Sequence, residues 1–426
     1  MNEEKKVVFK TPQLILSKSK DNDGIQYFRN NERLKSGDSE DFFEKDFNQV
    51  ISSETKMFIN QKIDNIVVLF GAGASVTDNN WDEDEDEDGV AKTGVTVAKI
   101  AGKVLEKLHD GNYDLKGVKL KVYPLDEIAN ISKYNDNVFE TDEEGNVVLG
   151  PNFNLEDFLS NLFSFEKFVE ISEKEVFENT INAIRDIIVK ATSYDYDDKI
   201  FKHVKLLNIL SKFAKSDSKL NIITTNYDTL IEDAAESMKW TVFDGFSFSR
   251  SPQFDSDMFN WNLVKDVPNV KTHENIFKKN VINLLKIHGS LTWERSKKDE
   301  HIIRKPKEVV LKPIMVFPSS DKYAQSYQEP YFDLFNKFQN MLQKRNTLLL
   351  TIGFSFADNH IARMILNAIK TNDSLTTLIT NFNIESNVKN WKELEQAMNN
   401  YYNVAFLQST LNGKLTDYLG GETVDN

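Results

Sequence analysis

The run NIVVLF at residues 65–70 is apolar almost throughout, rich in branched side chains, and passes directly into GAGASV. Such a run marks a strand covered on both faces, as parallel sheets require and half-solvated antiparallel sheets do not. An acidic loop, TDNNWDEDEDEDG, and then a helix-spaced segment, TGVTVAKIAGKVLEKLHD, come next. Strand, glycine turn, loop and helix in that order form the first unit of a parallel α/β sheet. Further strand-like runs occur at 220–226 (LNIITTN), 281–289 (VINLLKIHG), 346–355 (NTLLLTIGFS), 375–382 (LTTLITNF) and 403–408 (NVAFLQ). The helical patterns EPYFDLFNKFQNMLQK and DNHIARMILNAIKT fall between them. The expected architecture is α/β, a doubly wound, Rossmann-like parallel sheet.

Around that sheet the chain divides into four parts. Residues 1–58 read as an N-terminal arm for oligomerisation or partner contact. It has a polar start and then the helix-spaced SEDFFEKDFNQVISSETKMFINQ with Ser39 as its cap. Residues 59–152 read as the first part of the Rossmann-like domain and 216–426 as its remainder. Between them, 153–215 carries NLEDFLSNLFSFEKFV, EKEVFENTINAIRDIIVKAT and FKHVKLLNILSKFAK, an all-helical module with no strand pattern. A hydrophobic content of 40% supports a full core for these parts.

Composition removes several classes of function. A net charge of −14 argues against a non-specific nucleic-acid binder, which needs surplus Lys and Arg to neutralise phosphates. With no cysteine there are no disulfides, thiolate nucleophiles or cysteine-built zinc sites. The six histidines (His109, His203, His273, His288, His301, His360) lack ligand spacing, so no metal site is expected. No apolar run approaches the ~20 residues of a membrane span. The start, MNEEKKVVFKTPQL, lacks the apolar stretch of a secretory signal, so a cytoplasmic location is expected.

The chemistry-bearing residues collect at strand ends. Gly71-Ala72-Gly73-Ala74-Ser75 follows the first strand, where backbone N–H groups can approach a phosphate without interference from Cβ. Alone, this turn is most simply a tight turn, and no GxxxxGK[ST] P-loop accompanies it. Thr225, Asn226 and Asp228 end the second strand. His288 and Gly289 end the third, and Gly353, Ser355 and Asp358 the fourth. A single histidine is more often structural than catalytic. Four such strand ends in an open α/β sheet, however, face one crevice, where ligands bind.

Taken in order, GAGAS, TTNYD, IHGS and IGFSFAD resemble the sirtuin-like, NAD-consuming domains of bacterial anti-phage defence proteins. NFNLEDFLSNL and PIMVFPSSDKY resemble connecting segments of that branch, and the resemblance spans roughly residues 63–410. It implies NAD+ as substrate, with Ala72, Gly73 and Ser75 bordering the phosphates and the nicotinamide-side ribose. Gly71 and Thr225 belong to the same cofactor-binding set. Asn226 would hydrogen-bond the ribose or place a water, Asp228 would hold the nicotinamide carboxamide, and His288 would be the general base. Gly353 and Ser355 would line the pyrophosphate and ribose, and Asn381 would touch the adenosine end. The zinc-binding cysteines of sirtuins proper are absent, so no zinc is expected. That moves the expected reaction from deacylation to hydrolysis of NAD+.

The resemblance also implies NAD+ depletion during phage infection, homo-oligomerisation, and a separate partner, since no sensor is evident after residue 410. A HerA-type ATPase comes first and a short Argonaute-type protein second. An NAD-dependent deacylase and a non-catalytic module sensing NAD or ADP-ribose stay open as alternatives. The acidic loop, Asp82 to Asp88, reads as a solvated segment. As a sharper expectation, its carboxylates would gate the phosphate-binding turn by repelling the NAD pyrophosphate.

Overall fold

The computed structural model describes residues 5–21, 24–35, 42–77, 93–134, 139–142, 145–215, 218–266, 275–298, 300–315, 329–401 and 403–420. The acidic loop at 82–88 and Ser39 lie outside them.

Eleven strands make one sheet. They are β1 (Lys6–Lys10), β2 (Ile15–Asp21), β3 (Gly24–Arg29), β4 (Glu32–Arg33), β5 (Asn65–Phe70), β6 (Leu220–Thr224), β7 (Thr241–Phe243), β8 (Val281–Lys286), β9 (Thr347–Ile352), β10 (Leu375–Asn381) and β11 (Val404–Gln408). Their spatial order is β7-β8-β6-β5-β9-β10-β11-β1-β2-β3-β4. The seven strands from β7 to β11 run parallel, and the four from β1 to β4 extend the sheet antiparallel. From β5 the chain builds to one side through β6 and the edge strand β7, fills the gap between them with β8, then restarts on the other side with β9. The boundary between β5 and β9 is thus the topological switch point, where open sheets leave a crevice.

The helices are α1 (Glu44–Ile59), α2 (Val97–Leu108), α3 (Leu125–Ile131), α4 (Leu155–Phe165), α5 (Lys174–Thr192), α6 (His203–Phe213), α7 (Leu230–Ser237), α8 (Tyr331–Leu342), α9 (Asn359–Thr371), α10 (Lys389–Tyr401) and α11 (Thr416–Leu419). Alternation along the strands sends Ile66, Val68 and Phe70 to one face, against α1, α6, α7 and α11. Val67 and Leu69 face the other way, against α8, α9 and α10. Burial on both faces is what the continuous apolar runs require. The sheet is doubly wound, as expected.

Several local expectations need correction. Strands β1 to β4 belong to the sheet rather than to an appended arm: Phe9 pairs with Leu407 of β11, and Leu16 is fully buried. Helix α1 begins at Glu44 with Phe43 as its N-cap residue, four positions after Ser39, and Asp46 Oδ2 accepts the Phe43 N–H at 3.3 Å. The division expected between 152 and 153 falls inside one core. Ile100 and Val104 of α2 and Ile128 of α3 pack there with Phe158 of α4 and Ile184 of α5. Helix α6, by contrast, lies on the main sheet. Two hairpins, Asn112–Leu115 with Val118–Lys121 and Phe139–Thr141 with Val147–Leu149, join the helical core. The three-residue strand β7 has no clear sequence pattern.

Register sets the strand tips level with one another. Lys286 pairs with Thr224, Thr224 with Phe70, Phe70 with Ile352, and Ile352 with Thr380. Every candidate site residue lies one to five positions beyond this single row. No helix among the described residues is long and apolar enough to cross a membrane.

Candidate functional site

The glycine turn is shaped first by its neighbour across the switch point. Gly71 donates its N–H to Ile352 O (2.9 Å), and Gly73 donates to Gly353 O (3.0 Å). A Cβ on Gly71 would lie 2.6 Å from Phe354 Cα, and one on Gly73 would lie 2.9 Å from Gly353 Cα. Gly353 itself has φ +61° and faces the Gly73 backbone, so all three positions demand glycine. The amides of Ala74 and Ser75 bond back to Gly71 O and Ala72 O. Ala72 stands exposed at the head of the turn.

Inside the turn a chain of hydrogen bonds links three of the candidate residues. Asp228 Oδ2 accepts from Ser75 Oγ (2.7 Å) and from Tyr194 OH (2.9 Å), while its Oδ1 accepts from the Leu230 amide (3.2 Å). Ser75 has a single hydroxyl proton, and the carboxylate takes it. Its oxygen must therefore accept from Asn226, whose Nδ2 lies 3.0 Å away and also donates to Gly71 O at 3.1 Å. This order settles which way the amide faces: Nδ2 points into the turn, and Oδ1 points away from Ser75. Burial, and next the Asp228 charge, push the Tyr194 hydroxyl well above its ordinary range, so it stays a donor.

From below, the TTNYD segment is held by Lys286, the last residue of β8. Its side chain is 1% exposed, and its ammonium donates to Tyr227 O (3.3 Å), Asp228 O and Glu232 Oε1 (2.9 Å). Thr225 continues the ladder, its N–H on Phe70 O at 3.0 Å and its Oγ1 at 3.4 Å from the same oxygen. Beneath Phe70 lies the ring of His203, stacked at 5.8 Å. Burial pushes this imidazole down to about 4, so it is neutral in the native protein.

His288 lies two residues beyond Lys286 and Asn226 two beyond Thr224, and Lys286 with Thr224 is the last pair in register between these adjacent strands. The Ile287 amide on Thr224 O (3.0 Å) and the Leu291 amide on Tyr227 O (3.1 Å) carry the pairing past both strand ends. The imidazole Nε2 lies 3.3 Å from Asp358 Oδ2, with both side chains buried. Gly289, at φ +92°, lets the chain turn beneath Ile314 O, which a Cβ would strike at 2.1 Å.

The remaining candidates are less central. Ser355 is exposed, and its Oγ accepts from the Ala357 amide (3.3 Å). Asn381 is buried, its Nδ2 on Phe354 O (3.2 Å) and its Oδ1 taking the Phe382 amide (2.8 Å). It thus braces the loop after β9. Contacts therefore unite Gly71, Gly73, Ser75, Asn226, Asp228 and Gly353, while His288 follows the adjacent strand end and meets Asp358. Sequence reasoning missed Tyr194, for which no local signal exists, and Lys286, whose signal was a lone charge inside an apolar run. Among the described residues, no group of three or more His, Asp or Glu side chains could hold a metal ion.

Against known families, residues 220–405 match the family model described as a SIR2-like domain. The matched span runs from β6 into β11 and contains Asn226, Asp228, His288, Gly353, Ser355 and Asn381. It supports a sirtuin-like domain, consistent with an NAD-utilising enzyme. No curated protein matches the chain.

Proposed function

We propose that the protein is an NAD+ glycohydrolase, in which water replaces nicotinamide at the anomeric carbon of its ribose, giving nicotinamide and ADP-ribose. The observation that supports this reading is the Asp228–Ser75–Asn226 chain, which commits Asn226 Nδ2 to Ser75 Oγ and Gly71 O and makes Oδ1 its acceptor end. Cleavage of such a bond passes through an oxocarbenium-like transition state. Nicotinamide departs as a neutral amine, so a strong acid is not needed. What the chain must supply is an acceptor for a ribose hydroxyl or water, the role of Asn226, and a general base, the role of His288. Asp228, whose carboxylate already accepts three donors, serves this reading by orienting Ser75 and Asn226.

Resemblance to defence-associated domains extends the proposal to NAD+ depletion during phage infection, by a homo-oligomer acting with a separate partner. A HerA-type ATPase is the first candidate and a short Argonaute-type protein the second.

The test is release of nicotinamide from NAD+ by purified protein, alone and with each partner, resolved by chromatography. Asn226→Ala and His288→Ala should each lower the rate by about a hundredfold or more. A requirement for an acetylated peptide would instead indicate a deacylase. Saturable NAD+ binding without turnover in every condition would make the domain a sensor and overturn the proposal.

A further inference from the structure

The carboxylate of Asp358 serves two neighbours. Its Oδ1 accepts the N–H groups of His360 (2.9 Å) and Ile361 (3.2 Å), capping α9. Its Oδ2 meets His288 Nε2 at 3.3 Å. A helix cap needs only one acceptor, and serine or asparagine fills that place about as well as aspartate. Capping therefore does not account for the second oxygen, which faces the imidazole.

The surrounding loop is built to deliver it there. Gly353 and Phe356 both adopt positive φ, +61° and +59°, reversing the chain after β9. Asn381 Nδ2 holds Phe354 O at 3.2 Å, while Asn390 Nδ2 holds Phe356 O at 2.9 Å and Asn359 Oδ1 at 2.8 Å. Phe354 and Phe356 are buried edge to face, 4.9 Å apart. In the sheet, β6 and β5 separate β8 from β9, so the Asp358–His288 pair joins the segments after β8 and β9 across two intervening strands.

We infer that Asp358 is a positioning residue for His288, keeping the ring proton on Nε2 so that Nδ1 is the basic nitrogen. A neutral imidazole has one donor and one acceptor nitrogen, and its partner decides which is which. The kinetic consequence rests on the glycohydrolase reading; the pairing itself does not.

The experiment uses full-length protein labelled with 15N-histidine. His288 is identified among the six imidazoles by the signal lost in His288→Gln. Two-bond nitrogen–proton correlations then report which ring nitrogen carries the proton. Wild type should show Nε2–H. Asp358→Ser, which keeps a cap but cannot reach the ring, should shift His288 to a mixture of tautomers. Asp358→Asn, whose single amide oxygen stays on the α9 cap and whose NH2 then faces the ring, should draw the proton off Nε2 toward Nδ1, and serves if the serine variant folds poorly. In nicotinamide release, kcat should fall at least tenfold in both Asp358→Ser and Asp358→Asn, with KM within about threefold of wild type. An unchanged tautomer in both variants, or a wild-type kcat in Asp358→Ser, overturns the inference. If wild type releases no nicotinamide yet the tautomer follows residue 358, the pairing stands and the glycohydrolase reading falls. Turnover with a tautomer indifferent to residue 358 gives the converse.

Discussion

The single hydroxyl proton of Ser75 decides which way Asn226 faces. Ser75→Ala would leave Asp228 Oδ2 with Tyr194 alone and remove one of the two acceptors that hold Asn226 Nδ2. Loss of one buried hydrogen-bond partner costs about 1–2 kcal/mol, measurable by urea denaturation. Nicotinamide release should fall more than tenfold, because the amide is then held by Gly71 O alone. A wild-type rate in this variant would show that its orientation has no bearing on turnover. Gly353→Ala is a harsher change at the same site, since the new Cβ would lie 2.4 Å from the carbonyl carbon of Gly73 in left-handed backbone. It should cost more than about 2 kcal/mol in the same denaturation assay. Asn226 and His288 stand out in the sequence because each is a polar residue at the end of an apolar run. The part played by Tyr194 does not, because its donor arrives from 34 residues upstream and only the folded chain brings it to Asp228.

At the scale of elements, β8 and α6 carry ionisable groups under the site, and each makes a measurable demand. Lys286→Met would strip the ammonium from Tyr227 O, Asp228 O and Glu232, whose carboxyl burial already raises. Removing one partner of such a pair costs about 3 kcal/mol, and adding Glu232→Gln should recover part of it in urea melts. His203, at the start of α6, has a native pKa of about 4 because burial disfavours its charged form. Unfolded, it titrates near 6.5. Above pH ~6.5 both states are neutral, and the full stability is present. As pH falls from about 6.5 to about 4, only the unfolded chain takes up the proton, and roughly 3 kcal/mol is lost. His203→Phe keeps a ring against Phe70 and should flatten this stretch of the stability–pH curve; an unchanged slope would rule His203 out as its source. Parallel strands such as β5 and β9 were legible because burial on both faces writes an unbroken apolar run. Strand β2, ILSKSKD, was not, because it alternates Lys with small polar residues and borrows its apolar cover from α1.

At the scale of the whole molecule, the two readings of the first 35 residues predict different proteins. An arm would end at the sheet and could be removed without opening a core. In the fold, β1 pairs with β11, β2 and β3 follow, and Phe9, Leu16 and Tyr27 are buried in one core with Phe47 and Ile51 of α1. Removing those three side chains alone forfeits about 2 kcal/mol each. That is comparable with the 5–15 kcal/mol that holds a typical domain together. It would also bare β11 as a long apolar edge open to pairing with other chains. A chain lacking residues 1–35 should therefore be insoluble, or melt more than about 10 °C lower and elute as aggregate in size-exclusion chromatography. Melting at the wild-type temperature, with a changed oligomeric state as the sole effect, would instead mean that these strands serve assembly and that the seven parallel strands suffice as a domain.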